Sequence, residues 1–277
     1  MLSMTTDYVT STGCPGPYLR AIAEAGFSHV HWCHEWDTDV AYSDDQIDQI
    51  RRWLREYGLG LTDLHASSGK QKCWGSLLAR ERVSGVGLVK NRIDMAARLE
   101  SNVVIMHLPS QPVPAERANR LWDGLFSSLD DLRPYAEQRG VRIALENGDF
   151  DAIEGVLSQY GPEYLGLCYD SGHGNIGGDG LGRLERVKDR LISIHLHDNN
   201  GSSDQHSLPL TGTVDWPRLA GIVAASSYGK WVSLEAVMRN CPIRDEEVFL
   251  RAAFEAGSRI ARMIADCRGR PPDPERS

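Results

Sequence analysis

The sequence of 277 residues contains no apolar run that approaches the roughly 18–20 residues a membrane-spanning helix needs. Its first residues, MLSMTTDYVT, lack the basic start and apolar stretch of a secretory signal. Paired cysteines are also missing, because the six cysteines are scattered and form no Cys-x-x-Cys motif. We therefore expect a cytoplasmic protein with reduced thiols and no membrane partner.

Lysine is scarce, and the net charge is −8, from 38 acidic against 30 basic residues. This balance disfavours a nucleic-acid partner, because a negatively charged protein is repelled by the phosphate backbone. The remaining composition, with 41% hydrophobic and 25% charged residues, is that of a globular protein able to bury a core. The length suits one large barrel or two average domains.

Short apolar runs typical of β-strands alternate with longer amphipathic runs typical of helices. The predicted strands are residues 3–9, 29–33, 59–65, 102–108, 141–147, 165–170, 191–198 and 230–236. The predicted helices are residues 17–25, 43–57, 82–100, 115–139, 151–160, 181–188, 215–226 and 245–265. Eight β-α units without a linker predict an α/β protein formed by a single (β/α)8 TIM barrel. The alternative, a doubly wound open sheet, normally has a glycine-rich phosphate turn after its first strand, and none is visible in this sequence.

Cap residues support the predicted helix ends. Ser43 stands before two aspartates, as N-cap residues do, and Gly26, Gly58 and Gly140 stand where helices should end. We place the barrel at residues 1–267. The remaining residues, 268–277, read RGRPPDPERS and predict a disordered tail.

Six consecutive predicted strands, from the third to the eighth, end in a histidine or an acidic residue. In a (β/α)8 barrel these ends converge on one mouth, which carries the active site. The residues concerned are His65, His107, Glu146, Asp170 with the nearby His173, His195 and His197, and Glu235. A single histidine of this kind is most often a packing residue, but six such ends predict a metal site. Imidazole and carboxylate ligands suit Zn²⁺ or Mn²⁺, with Co²⁺ or Mg²⁺ as alternatives.

The seventh strand and the loop that follows it leave two questions open. Residues two apart share one face of a strand, so His195 and His197 both point inward. We assign His197 as a ligand and give His195 a supporting or packing role. Asp204 and His206 follow a Gly-Ser turn and are either further ligands or part of a polar surface loop.

Several short motifs at strand ends resemble those of the xylose isomerase-like TIM-barrel superfamily, and the resemblance covers essentially the whole chain. They are ALEN (144–147), YDSGHGN (169–175), HLHDN (195–199), DQH (204–206), GTVDW (212–216) and SLEA (233–236). The superfamily contains sugar and sugar-phosphate isomerases and epimerases, and also the apurinic-site enzyme endonuclease IV. The resemblance therefore implies a divalent-metal site but leaves the reaction open.

The tagatose/psicose 3-epimerase branch implies one ion, with ligands at Glu146, Asp170, His197 and Glu235. In that branch the two metal-bound glutamates are also the acid and base that move a proton beside a carbonyl, through an enediolate. His173 matches a histidine that contacts the substrate. The branch also has an arginine shortly after its strand-seven histidine, whereas this sequence reads NNGSSDQH there.

The endonuclease IV branch implies three zinc ions and a water that they position and activate. The additional ligands would be His65, His107, His173, Asp204 and His206. Two features disfavour duplex binding, which relies on phosphate contacts from Lys and Arg: lysines are few, and the loop at 34–45 is strongly acidic. In the loop at 66–75, Lys70 and Trp74 are candidate substrate contacts, for a phosphate or by stacking on a sugar, and the alternative is a solvated turn with one anchored Trp.

The sequence thus predicts a metal-dependent sugar or sugar-phosphate isomerase or epimerase that binds one to three divalent ions and a small-molecule substrate. Glu146 and Glu235 would be its catalytic carboxylates. The alternatives are a multinuclear zinc phosphoesterase or abasic-site endonuclease, a dehydratase of a keto-sugar or keto-inositol, and a non-catalytic sugar-binding protein. The sequence does not indicate an oligomeric state.

Overall fold

Eight parallel strands form the centre of the molecule, in a computed structural model that describes residues 1–36, 41–66, 73–108, 115–176 and 178–269. The strands are β1 (Leu2–Thr5), β2 (His29–Trp32), β3 (Gly60–His65), β4 (Val103–His107), β5 (Arg142–Glu146), β6 (Leu165–Asp170), β7 (Leu191–His195) and β8 (Val232–Leu234). Their order is β7-β6-β5-β4-β3-β2-β1-β8. A parallel bridge between Leu196 and Leu234 brings the two outer strands together. The predicted (β/α)8 TIM barrel is confirmed.

Helices follow the strands around the outside of the barrel. They are α1 (Gly16–Glu24), α2 (Asp44–Tyr57), α3 (Ala79–Arg98), α4 (Ala115–Gln138), α5 (Phe150–Leu157), α6 (Ser171–Ile176), α7 (Gly180–Val187), α8 (Trp216–Ala224) and α9 (Glu246–Arg268). The eight predicted helices all form, and α6 is an additional short helix directly after β6. Within the described ranges, no helix combines the length and the apolar character needed to cross a bilayer.

Helix α2 illustrates how local sequence sets an element's ends. The Ser43 side chain accepts a hydrogen bond from the Gln46 backbone N–H, and the Gln46 side chain accepts one from the Ser43 backbone, which completes a capping box. The helix ends at Gly58, whose φ of 67° is left-handed and is adopted by glycine at little steric cost. Ile47, Ile50 and Leu54 are buried on the face that meets the sheet.

The core lies in two places. The larger part fills the layer between the strands and the surrounding helices. A smaller apolar cluster contains Val103, Ile105, Ala144, Cys168 and Ile192 from β4 to β7. Burial of these side chains holds the strands in register and fixes the positions of the residues at their carboxyl ends.

Several strands end earlier than the sequence predicts. β1 was predicted to reach residue 9 and ends at Thr5, and β7 was predicted to reach residue 198 and ends at His195. In both, the chain leaves the sheet as it reaches the mouth. Helix α9 continues to Arg268, and residues 270–277 of the predicted tail lie outside the described residues, so the boundary at 267 stays a prediction.

Candidate metal centre

The predicted strand-end residues converge at the carboxyl end of the barrel. The buried carboxylates of Glu146 (β5) and Glu235, just beyond β8, meet at His195: its Nδ1 lies 3.2 Å from Glu146 Oε2 and 3.3 Å from Glu235 Oε2. His65 Nε2 lies 3.5 Å from an oxygen of each glutamate. His197 Nε2 lies 3.0 Å from Asp170 Oδ2. These side chains come from five strands that are far apart in the sequence.

The donor atoms in this cluster suit a divalent cation. Among the described residues, buried atoms at the mouth with no hydrogen-bond partner include Glu146 Oε2, Asp170 Oδ2, Glu235 Oε2, His65 Nε2 and His197 Nε2. A buried polar atom without a partner is costly, and carboxylate oxygens cannot donate hydrogen bonds to one another. Nitrogen and oxygen donors that face each other in this way are the ligand set of Zn²⁺ or Mn²⁺. The residues therefore fit the predicted metal.

Side-chain hydrogen bonds to the backbone hold Asp170 and His197 in place at the mouth. The Asn147 side chain donates to the Asp170 carbonyl at 2.9 Å and accepts from the Asp170 N–H at 2.5 Å. The Ser171 hydroxyl donates to the His197 carbonyl at 2.6 Å and accepts from its N–H at 2.9 Å. A Cβ on Gly172 would overlap the His197 ring, so only glycine permits this approach. These contacts fix the relative positions of Asp170 and His197.

The loop after β7 returns to the mouth and places Asp204 between two imidazoles. His206 Nε2 lies 3.0 Å from Asp204 Oδ2, and His173 Nε2 lies 3.4 Å from the same oxygen. Each ring donates its Nδ1–H to a backbone carbonyl, His206 to Glu235 and His173 to Asn147. With Nδ1 held by a backbone carbonyl, Nε2 of each ring faces the Asp204 carboxylate.

His206 is held in a strained backbone conformation and packs against the chain just beyond the end of β7. Its φ of 46° is left-handed, a conformation that costs a non-glycine residue about 1–3 kcal/mol. Its ring stacks on His197 with centroids 4.0 Å apart. The loop thus packs against the strand-end residues, and a ligand role for Asp204 and His206 stays a prediction.

A third group lies on the β3–β4 side of the mouth. His65 Nε2 and His107 Nε2 lie 3.5 Å and 3.6 Å from Glu146 Oε2. The two rings stack with centroids 5.1 Å apart. All nine predicted ligands therefore lie at one mouth. Glu146 belongs to the first and third groups, and His173 Nδ1, 3.4 Å from Glu146 Oε1, links the second group to them.

Beneath the mouth lies a polar layer that the sequence analysis did not assign. Asp63, in the middle of β3, accepts a hydrogen bond from His31 Nδ1 at 2.5 Å and another from the Ser193 hydroxyl. Its Oδ1 also lies 3.7 Å from His195 Nε2. His195 was predicted to support or pack, and its position between Asp63 and the two glutamates fits the supporting role. The only sequence signal for this layer is the inward alternation of β2, β3 and β7.

Charges within the cluster oppose the effect of burial. Burial alone raises the pKa of Glu146, but His107 and His195 outweigh it, so the pKa lies below its usual range. Burial alone lowers the pKa of His173 and of His206. The carboxylates of Asp170 and Asp204 outweigh burial at His173 and raise its pKa to about 10. Asp204 and Glu235 do the same at His206, whose pKa also rises to about 10. A divalent cation bound among these donors would replace such protons.

Comparison with known proteins identifies the family. A family model described as xylose isomerase-like TIM barrel matches residues 19–255. The chain belongs to this family. An uncharacterized protein of Sinorhizobium fredii is 34% identical to it over 91% of this chain and 90% of the relative. The predicted membership of the xylose isomerase-like superfamily is confirmed.

Solved structures share the family's barrel. A D-tagatose 3-epimerase-like protein matches with a TM-score of 0.76 and 20% identity, covering 96% of this chain and 98% of that chain. A D-psicose 3-epimerase of Clostridium cellulolyticum, solved with D-tagatose, matches with a TM-score of 0.77 and 16% identity, covering 95% and 99%. At these identities the likeness shows a shared fold.

The mouth of the barrel opens into a cavity of about 460 Å³, within the range of small-molecule sites. Its lining includes Glu146, Glu235 and His173, and also the guanidinium-bearing residues Arg92 and Arg239. Sequence reasoning missed Arg92 because it lies inside α3, where an arginine usually faces solvent. Here it is almost fully buried, against the ring of Tyr42.

The two predicted substrate contacts in the 66–75 loop differ in placement. Trp74 is buried, packs in the core outside the cavity lining, and its carbonyl accepts a hydrogen bond from Ser128. Lys70 lies outside the described residues. A substrate contact by either residue stays a prediction.

Proposed function

We propose that the protein is a divalent-metal-dependent isomerase or epimerase of a sugar or sugar phosphate. One observation carries the proposal: two buried glutamates, Glu146 and Glu235, meet at one imidazole and both line the mouth cavity. Paired carboxylates beside a metal site are suited to moving a proton on and off a carbon atom next to a carbonyl.

Glu146, Asp170, His197 and Glu235 are the proposed ligands, since their unpaired donor atoms face one another at the mouth. A bound divalent cation would polarise a carbonyl and a neighbouring hydroxyl of the substrate. The cavity volume of about 460 Å³ accommodates a monosaccharide.

The glutamates divide the proton transfer between them. A carboxylate oxygen of one glutamate accepts the proton from the carbon next to the carbonyl, and the carboxyl of the other donates a proton. Return of the proton to the opposite face of the same carbon gives epimerisation, whereas its return to the neighbouring carbon gives isomerisation. His173, at the edge of the cavity, is a proposed substrate contact or a further ligand.

The experiment that tests the proposal is exchange with solvent deuterium. The protein is reconstituted with Zn²⁺ or Mn²⁺ and incubated in D₂O with a panel of ketoses, aldoses and their phosphates. We expect deuterium at the carbon beside the carbonyl of at least one sugar, detected by NMR. Complete absence of exchange across the panel would contradict the proposal.

A multinuclear phosphoesterase is the second candidate, and a specific observation favours it. His173 and His206 both direct Nε2 at Asp204, and His65 and His107 both direct Nε2 at Glu146, so the donors could hold more than one ion. Multinuclear centres stabilise the attacking and leaving oxygens of a phosphate ester.

Two measurements separate the candidates. A mononuclear sugar enzyme would contain about one ion per chain by elemental analysis, whereas the multinuclear arrangement would contain about three. Cleavage of an oligonucleotide with an abasic site by the zinc-loaded protein would favour the phosphoesterase, and an intact oligonucleotide would exclude the endonuclease.

A further inference from the structure

Strand β2 and the residue that follows it supply two side chains that belong to none of the three groups above, one in the polar layer beneath the mouth and one in the cavity lining. His31 and Cys33 are two residues apart and share the inward face. We propose that they hold a divalent cation of the Zn²⁺ or Co²⁺ type, together with His65 and Glu235. One donor atom from each of the four residues lies within 4.8 Å of the others.

The orientation of His31 is the first argument. Its Nδ1 lies 2.5 Å from Asp63 Oδ1, and because an ionised carboxylate can only accept, Nδ1 carries the hydrogen. In the neutral ring, Nε2 therefore presents a lone pair. The ring is fully buried, and within the described residues Nε2 has no hydrogen-bond partner. A carboxylate behind a histidine in this way fixes the tautomer and direction of metal-ligating rings.

The surroundings of this lone pair are the second argument. His31 Nε2 lies 3.7 Å from Glu235 Oε1, and His65 Nε2 lies 3.5 Å from the same oxygen. The carboxylate oxygen is electron-rich, so His31 Nε2 and Glu235 Oε1 repel each other unless a positive charge lies between them. A divalent cation on the β2 side of Glu235 would satisfy both atoms.

Cys33 determines which cation such a site prefers. Cys33 lines the mouth cavity, and a cysteine binds a cation as its thiolate, after loss of the thiol proton. Binding would release this proton to solvent, and the thiolate sulfur would donate its electron pair to the cation without any change of oxidation state. One thiolate with imidazole and carboxylate favours Zn²⁺ or Co²⁺ over Mg²⁺.

This inference rests on the metal dependence proposed above, and titration with Co²⁺ alone tests the two separately. The chelator-treated full-length protein is titrated and its near-ultraviolet spectrum recorded, because cobalt bound to thiolate gives a charge-transfer band that nitrogen and oxygen ligands do not. We expect the band in the wild type and in the control Cys267→Ser, whose cysteine lies on α9, and its loss in Cys33→Ser. Asp63→Asn should weaken Co²⁺ binding about 10- to 100-fold at this position.

Co²⁺ uptake without the band, or a band that survives in Cys33→Ser, would overturn this inference and leave the proposed function intact. No uptake of Co²⁺ at all would overturn both. Alkylation of the wild type gives a second readout that needs no folded variant. Zn²⁺ should slow the labelling of Cys33 and leave that of the exposed Cys14 unchanged, and equal Cys33 rates with and without Zn²⁺ would refute the site.

Discussion

Asp170 at the barrel mouth and Asp198 in the connection from β7 to α8 are both fully buried, but they differ in how completely their oxygens are hydrogen-bonded. Asp198 accepts hydrogen bonds on both oxygens, from the backbone N–H groups of Asn199 and Val214 at 3.0 and 3.1 Å and from Trp216 Nε1 at 2.9 Å. Asp170 accepts one bond on Oδ1, from His173 N–H, while its Oδ2 faces His197 Nε2 and has no hydrogen-bond partner in the described chain.

The contrast separates a structural carboxylate from a candidate functional one. A buried carboxylate with all its hydrogen bonds made stabilises the connection that it organises. Buried oxygens without partners cost free energy, and proteins keep them mainly where a ligand or a reaction uses them. Asp170, Glu146 and Glu235 each have such an oxygen, which supports the proposed metal centre at the mouth.

The largest expected effect comes from removing a charge at the mouth. Glu146→Gln keeps the shape of the side chain but removes the base, so turnover of any identified sugar should fall by about 100- to 10,000-fold. The matched control is Glu163→Gln, an exposed glutamate that pairs with Arg133. Steady-state kinetics on both variants tests the contrast, and equal activity of Glu146→Gln and the control would contradict the assignment.

Metal removal should act on the same region. At a concentration one hundred times its Kd, a cation that binds only the folded protein adds about 2.7 kcal/mol to the free energy of unfolding. Chelation should therefore lower the melting temperature, and Zn²⁺ or Mn²⁺ should restore it. Asp170→Asn should reduce this response. A melting temperature that is identical with and without metal in the wild type would count against cation binding at the mouth.

Asp198→Asn should give the opposite pattern. An amide nitrogen would face at least one of the three donors, so the free energy of unfolding should fall by about 1–3 kcal/mol. The number of ions per chain in the folded fraction should stay the same. Denaturant unfolding with parallel metal analysis measures both quantities. Loss of metal with an unchanged free energy of unfolding would show that Asp198 acts in metal binding, and the contrast with Asp170 would be wrong.

The smallest effect on stability is expected at Asp204, in the exposed part of the connection from β7 to α8. Asp204 is partly exposed, and Asp204→Asn should change the melting temperature of the metal-free protein little. If Asp204 is a ligand, the variant should bind one ion fewer than the wild type. An unchanged ion count in Asp204→Asn would return this aspartate to a loop-shaping role.

The barrel could be predicted from the sequence because its signals are local. The periodicity of the apolar residues distinguishes strands from helices within short segments of the chain. Likewise, Ser43 and Gly58 mark the two ends of α2 from local sequence alone. Helix α6 was not predicted because its six residues, less than about two helical turns, are too few to show a periodic pattern and include glycines, which disfavour helix. β1 and β7 were predicted too long because the chain leaves the sheet where the mouth begins.

The candidate site was predictable only in part. The strand-end rule of the (β/α)8 barrel located Glu146, Asp170 and Glu235, since parallel strands bring their carboxyl ends together. Asp63 and His31 lie within their strands, and their meeting with Ser193 is a contact between strands distant in sequence. Arg92 reaches the cavity from helix α3, and its position there depends on tertiary packing, which no local sequence pattern indicates.

The most direct test of the central claim is the divalent-metal content of the purified chain after reconstitution with Zn²⁺ or Mn²⁺ and removal of unbound ions. If the mouth carboxylates hold a cation, elemental analysis should find at least one ion per wild-type chain and substantially less in the Glu146→Gln, Glu235→Gln double variant, with the fold retained by circular dichroism. A wild-type chain that retains no divalent ion, or a double variant that retains the full complement, would contradict the account.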